Sequence, residues 1–255
     1  MCGIAGFYRR EQQDPASLES MASVMVHRGP DANGFHIENG MHLAHQRLSI
    51  VDLESGQQPM LSQNRKEVVV FNGEIFNHHE LREQIGESNF STKSDTEVLL
   101  YGYKKWGAEL FNRLNGMFAF AIYDKENEKL VLARDRLGQK PLYYTLRPEG
   151  FAFASEIKPL FEVPFVDKKL RPDILPKYFA HEYVPVPETL YEGVFKCPPG
   201  HWMSLDLKTM KLELTPYWKA TYRESLADRS EASIAEEFEE KFKKALEYRM
   251  MADVP

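Results

Sequence analysis

Met117-Phe118-Ala119-Phe120-Ala121-Ile122-Tyr123 has an apolar side chain at every position. Successive side chains of a strand leave on opposite faces, so a strand with one wet face alternates; a run with no polar face belongs between two layers. Working outward, Asp124 to Glu128 forms a turn into Leu130-Val131-Leu132-Ala133, and Leu142 to Thr145 and Phe151 to Ala154 extend the strand series. Upstream, Ile4 to Tyr8 and His42 to Leu48 read as strands. Glu67 to Phe71 reads as another, with Val68, Val69 and Val70 at its middle, stopping at Asn72-Gly73-Glu74. Many strands with few intervening helices predict an α+β fold of stacked sheets flanked by helices.

The helices carry their own signals. Asp14-Pro15 is an N-cap followed by proline at the first helical position, and Leu18, Met21, Ala22 and Met25 follow at helical spacing. His27 to Gly34 is a turn-rich loop that ends this helix. Asn77 is placed to cap a short helix through Leu81. Ser94-Asp95-Thr96 opens a stronger one, with Leu99, Tyr103 and Trp106 on one face and Gly107 as its stop. Past Phe161 prolines come in quick succession, which predicts an extended region with one short helix around Ile174 to Phe179. Ser233 to Arg249 is helical again, with Ile234, Phe238, Phe242 and Ala245 on one face and no partner for that face in the sequence.

The composition excludes several classes. An apolar fraction of 43% across 255 residues supports a core for one large domain, or for a domain with an appendage. The net charge of −6, without a basic run, gives no nucleic-acid surface. No apolar run approaches the roughly 18 residues of a membrane span, and the N-terminus lacks a signal peptide's apolar region. Two cysteines make a disulfide framework unnecessary and fit a reducing cytosol.

One of those cysteines, Cys2, directly follows Met1. A side chain this small favours removal of Met1, which would leave a thiol and a free α-amine on one residue. Their ordinary pKa values are close, about 8.5 and about 8, so the amine can take the thiol's proton. Nucleophile and base then need no histidine. The bland reading is a frayed terminus. Attack on a carbonyl would create an oxyanion needing aimed N–H donors. Asn72 and Gly73 offer a carboxamide and an unhindered backbone N–H; equally, Asn-Gly is a common tight turn. Arg47 and Asp95 fit the carboxylate and ammonium of an amino acid, the guanidinium in bidentate fashion, or are two unrelated surface charges. His78-His79 lacks any metal-ligand spacing and reads as the exposed face of a short helix. Cys197 reads as a small buried apolar residue, and Arg134 to Lys140 as an ordered structural loop.

Eight stretches occur in order: Cys2-Gly3-Ile4, His27 to Asp31, His45 to Asp52, Phe71 to Ile75, Ser94 to Glu97, Asn115 to Phe120, Arg134 to Tyr144 and Ser155 to Lys158. On these the chain resembles the N-terminal glutaminase domain of glutamine-hydrolysing asparagine synthetases, which are class II (N-terminal nucleophile) glutamine amidotransferases. The resemblance implies a four-layer αββα sandwich. It implies Cys2 as nucleophile with its own amine as base, and Asn72 and Gly73 as oxyanion hole. Arg47 would hold the glutamine carboxylate and Asp95 its ammonium, with Leu48, Ser49, Ile50, Val51 and Glu74 lining the pocket. The implied reaction passes through a γ-glutamyl thioester to glutamate and ammonia. Phe76 stands where the family often has tyrosine and touches no assigned role.

By the same resemblance, residues 2–205 form the glutaminase domain, and residues 206–255 a linker and the first helix of an ATP-pyrophosphatase-type synthetase domain. Ala252-Asp253-Val254-Pro255 would stop just short of that domain's SGG(L/I)DS loop, which occurs nowhere in the sequence. No cofactor is implied for the glutaminase domain; Mg-ATP is implied for the missing one, which would amidate aspartate. Expected partners are glutamine, the protein's own synthetase domain and, as one arrangement, a second copy in a homodimer. Nucleic acid and membrane are not expected, and the compartment is the cytoplasm. The alternatives are an amidotransferase for another carboxylate and a catalytically silent binding module of the same fold.

Overall fold

The structure, a computed structural model, describes residues 1–10, 14–50, 52–222 and 228–250. The chain opens with β1 (Gly3–Tyr8), α1 (Pro15–Ser23), β2 (Ala32–Glu38), β3 (Met41–Arg47) and β4 (Met60–Leu61). It continues with β5 (Glu67–Ile75), α2 (His78–Ile85), α3 (Thr96–Trp106), α4 (Leu110–Arg113), β6 (Gly116–Asp124) and β7 (Lys129–Arg134). The remainder is β8 (Tyr143–Arg147), β9 (Gly150–Ala154), α5 (Leu175–His181), β10 (Phe195–Lys196), β11 (His201–Asp206), β12 (Leu212–Pro216) and α6 (Glu231–Arg249).

Two antiparallel six-stranded sheets result, ordered β10-β8-β9-β1-β3-β2 and β12-β11-β7-β6-β5-β4. The expectation for β6 holds from Phe118 to Tyr123, while Met117 is only half-buried. Ala119, Ala121 and Tyr123 point into the layer between the sheets, beside Ile4, Leu43, Val70 and Phe153. Phe118, Phe120 and Ile122 point the other way, into the layer formed with Leu81, Val98, Leu99 and Phe111 of α2 to α4. On the far side of the first sheet, Leu18, Met21 and Ala22 of α1 pack on Ala5, Phe7 and Ala44. Helix, sheet, sheet and helix follow in sequence, an αββα sandwich of α+β class.

Local chemistry sets the element ends. The Asp14 carboxylate accepts from the Ser17 N–H at 3.1 Å, capping α1 as expected. Gly107, at φ 55°, ends α3 in a conformation that suits glycine. Other expectations fail for tertiary reasons. β5 does not stop at Asn72-Gly73 but runs through them to Ile75, in register with β6. The loop expected from His27 to Gly34 contains the start of β2, an edge strand paired with β3. β11 and β12 extend the second sheet beyond residue 200. Asn77 precedes α2 without capping it; its side chain instead binds the Arg113 carbonyl and the Asn115 N–H. His78 is buried, with its ring against the Ile75 carbonyl, rather than on an exposed face. In α6, Phe238 and Phe242 stack on each other with centroids 5.9 Å apart and stand 68% and 54% exposed, so this face is not packed on the core.

Phe120 is fully buried against Phe111 and Phe118. Phe120→Ala is expected to destabilise the fold by about 3–5 kcal/mol, read as a lower urea midpoint at unchanged slope.

Candidate active site

β1 lies inside its sheet, flanked by β3 and β9, with Gly3 opposite Gln46 and Ile4 opposite His45. The residues just before it are therefore delivered to a fixed place. The Ile4 N–H donates to Ser155 Oγ at 3.0 Å, and the Ser155 N–H returns a bond to the Ile4 carbonyl at 2.8 Å. Arg28 Nε donates to the Cys2 carbonyl at 3.0 Å, and its Nη1 meets Glu156 at 3.1 Å. Cys2 Sγ sits against the backbone of Leu48, 3.4 Å from its nitrogen and 3.5 Å from its oxygen. Burial pushes the thiol up from its ordinary value, while the Leu48 contact, the amine of the chain start and Arg47 pull the other way.

β5 supplies the opposite wall. Its even-numbered residues face β6, as the bond from the Phe76 N–H to the Asn115 carbonyl marks. The N–H groups of Phe71, Gly73 and Ile75 consequently point to the other edge, since strand directions alternate. β4 pairs only with Val68 and Val69, which leaves that edge open. Gln58 Oε1 accepts from the Phe71 N–H at 2.6 Å, and Asp95 Oδ2 from the Ile75 N–H at 2.9 Å. The Gly73 N–H lies between them. A Cβ at Gly73 would fall 2.1 Å from the Met117 carbonyl oxygen, so only glycine fits. His45 Nε2 donates to the Phe71 carbonyl at 3.1 Å, tying the two sheets together beside the site; burial pushes this imidazole down to about 4. Asn72 is buried, and neither atom of its carboxamide has a partner among the described residues.

These walls enclose a cavity of about 70 Å³ with Met1 in place. Cys2, Arg47, Leu48, Ile50, Asn72, Gly73, Glu74 and Asp95 all line it, so most of the expected set is gathered at one spot. Arg47 and Asp95 are not surface charges: they are 4% and 5% exposed. The Arg47 guanidinium donates to the carbonyls of Asp52 and Leu53, wrapping the loop after β3 around itself. Burial pushes Asp95 up to about 7, against its bond from Ile75 and with Glu74 adding in the same direction. Burial likewise raises Glu74, with Lys140 and Arg249 opposing.

Ser49 does not line this cavity, its backbone N–H donating to Asp31 at 2.8 Å, and Val51 lies outside the described residues. The sequence reading missed Gln58, Thr96, Met117 and Lys140 as lining residues. Of these, Gln58 alone lies outside the eight stretches already noted. Cys197 is buried, as expected, and burial pushes its thiol up to about 12. Among the described residues no group of His, Cys, Asp and Glu is placed to hold a metal ion. None of the described helices is long and apolar enough to cross a membrane.

A model of the glutamine amidotransferase domain matches residues 1–218. The chain is 35% identical over 262 residues to asparagine synthetase [glutamine-hydrolyzing] 1 of Bacillus subtilis, covering 100% of this chain and 41% of that protein. It is 34% identical over 274 residues to amidase chry2 of Gibberella zeae, covering 100% of this chain and 40% of that one. The chain thus spans about two fifths of the length of these relatives. Among solved structures, the glutamine phosphoribosylpyrophosphate amidotransferase of B. subtilis superposes with a TM-score of 0.61 at 18% identity, over 87% of this chain and 50% of that one, a likeness of fold.

Asp95 binds its proton more tightly folded than unfolded, where a carboxyl titrates near 3.9. Its contribution to stability therefore falls as pH rises from about 4 to about 7. Asp95→Asn keeps an acceptor for the Ile75 N–H and removes the buried charge. The variant's melting temperature is expected to exceed the parent's at pH 8, with the gap closing towards pH 5, as scanning calorimetry across that range would show.

Proposed function

The chain belongs to the glutamine amidotransferase domain family, and from that premise we propose that it hydrolyses glutamine to glutamate and ammonia in the cavity beside Cys2. The observation that carries this reading is the buried Asn72 carboxamide, without a partner among the described residues, beside the outward Gly73 N–H in the cavity that Cys2 lines. A buried amide without partners is costly unless a ligand completes it.

In this reading Met1 is removed, which enlarges the cavity and places the free amine on Cys2. The amine accepts the thiol proton, and the sulfur attacks the side-chain carboxamide carbon of glutamine. Asn72 Nδ2 and the Gly73 N–H receive the oxyanion. As the tetrahedral adduct collapses, the C–N bond breaks and the nitrogen takes the proton back from the amine, leaving as ammonia. Water then adds to the γ-glutamyl thioester with the amine again accepting a proton, and the C–S bond breaks to give glutamate. Arg47 holds the substrate carboxylate and Asp95 its ammonium, whose charge would bring the Asp95 carboxyl back into its ionised form. Leu48, Ile50 and Glu74 form the rest of the pocket, with Ser49 and Val51 assigned to it by the family resemblance alone.

The destination of the ammonia belongs to the longer protein implied by relatives of more than twice this length. We place there an ATP-dependent amidation of aspartate, carried out in the cytoplasm. The second reading is an amidotransferase acting on another carboxylate; one relative of similar identity bears the name amidase and not asparagine synthetase. We take residues 2–205 as the glutaminase domain and residues 206–255 as the linker and first helix of the next; the pairing of β12 with β11 argues for carrying the first unit somewhat past residue 205.

Glutamate release can be followed with a coupled dehydrogenase assay. Cys2→Ala is expected to abolish it. Asn72→Ala is expected to lower kcat by about 10²–10³-fold with little change in KM. Turnover surviving Cys2→Ala would refute the assignment.

A further inference from the structure

Lys140 carries a cation into the cavity and makes no ion pair among the described residues; Glu74 and Asp135 act on it only from beyond contact. The residue is 7% exposed. Its Nζ has one hydrogen-bond partner among the described residues, the Met1 thioether at 3.3 Å, which leaves with Met1. The stem is pinned at the backbone: its N–H donates to Asp135 Oδ2 at 2.9 Å, and its carbonyl accepts from Arg134 Nε at 2.7 Å. The Asp135 carboxylate is already taken up by the N–H groups of Phe118, Leu137, Gln139 and Lys140. Arg28, also beside the chain start, is balanced by Glu156 at 3.1 Å. A buried ammonium left this way costs stability, and its position in the cavity says what offsets the cost.

We propose that Lys140 is a positioning residue for the Cys2 pair: its ammonium disfavours a second positive charge on the terminal amine and favours a negative one on the sulfur, a role that rests on the glutaminase reading. The groups acting on the pair are Arg28 and Asp31 ahead of β2, Arg47 at the end of β3, Asp95 before α3 and Lys140. Glu74 of β5 faces Lys140 across the cavity, with Arg249 of α6 acting on Glu74. Burial lowers the amine as it stands on Met1, and Arg28 and Lys140 lower it further, against the Cys2 sulfur and Asp31. Without Lys140 the amine would hold its proton to higher pH and accept the thiol's less readily.

The test uses the chain beginning at Cys2, checked by intact mass, with Lys140→Met, Lys140→Gln and Lys140→Arg. Alkylation of Cys2 by iodoacetamide against pH, read by mass, reports the pair without any turnover; Cys197 is buried and does not interfere. Lys140→Met and Lys140→Gln should shift the alkylation midpoint and the acid limb of kcat/KM for glutamine upward by about one pH unit. At neutral pH this is about a tenfold loss, recovered in alkali, while Lys140→Arg tracks the parent. Both neutral variants should melt no lower than the parent. Unchanged midpoints, an arginine variant that behaves like methionine, or neutral variants that fail to fold would each overturn the proposal. A parent whose alkylation midpoint depends on Lys140 but which releases no glutamate would sink the hydrolysis reading and leave the electrostatic one standing.

Discussion

Three backbone N–H groups on one edge of β5 have to find acceptors outside the sheet, because β4 is too short to reach them. Buried N–H groups are almost never left unpaired. Gln58 takes the one on Phe71 and Asp95 the one on Ile75, which fixes the loop before β4 and the start of α3 against the strand. The middle group, on Gly73, is offered to the cavity. Much of the site follows from that gap: glycine is required where Met117 crowds the chain, and the Asn72 carboxamide stands beside the open slot.

The rigidity behind this arrangement comes from the layers. β6 presents Ala119 and Ala121 to one layer and Phe118 and Phe120 to another, so it cannot shift without disturbing both. β5 is in register with it along nine residues, and His45 carries the constraint across to the first sheet. The nucleophile candidate and the oxyanion candidate thus sit on different sheets but are held together by one packed interior. Asp95 shows the cost: an acid placed where burial opposes its charge gives up stability as the pH rises.

Legibility in the sequence followed burial. β6 was readable because both its faces are buried, so no polar residue interrupts it. Cys2, Arg47 and Asp95 were readable as residue types, and the structure brings all three to one cavity. Asn72-Gly73 was ambiguous because the local preference of that pair is a turn, and only pairing with β6 overrides it. β2 was hidden because it is a half-exposed edge strand in which Asn33, Gly34 and His36 mask any alternation. Gln58 gave no signal: its role exists only because β5, beginning a few residues later, leaves an N–H uncovered. Lys140 was visible within a charged loop, but nothing local says that its Nζ reaches the N-terminal residue.

The placement of β1 has a practical corollary for preparing the protein. Cys2 is clasped by Arg28 and Leu48, and the residue before it already shares the cavity. An affinity tag or fusion partner joined at that end would have to thread out through the mouth of the pocket, blocking it while the fold stayed intact. Under the proposed reading, such a preparation would look well behaved by every physical criterion while its pocket stayed closed to glutamine.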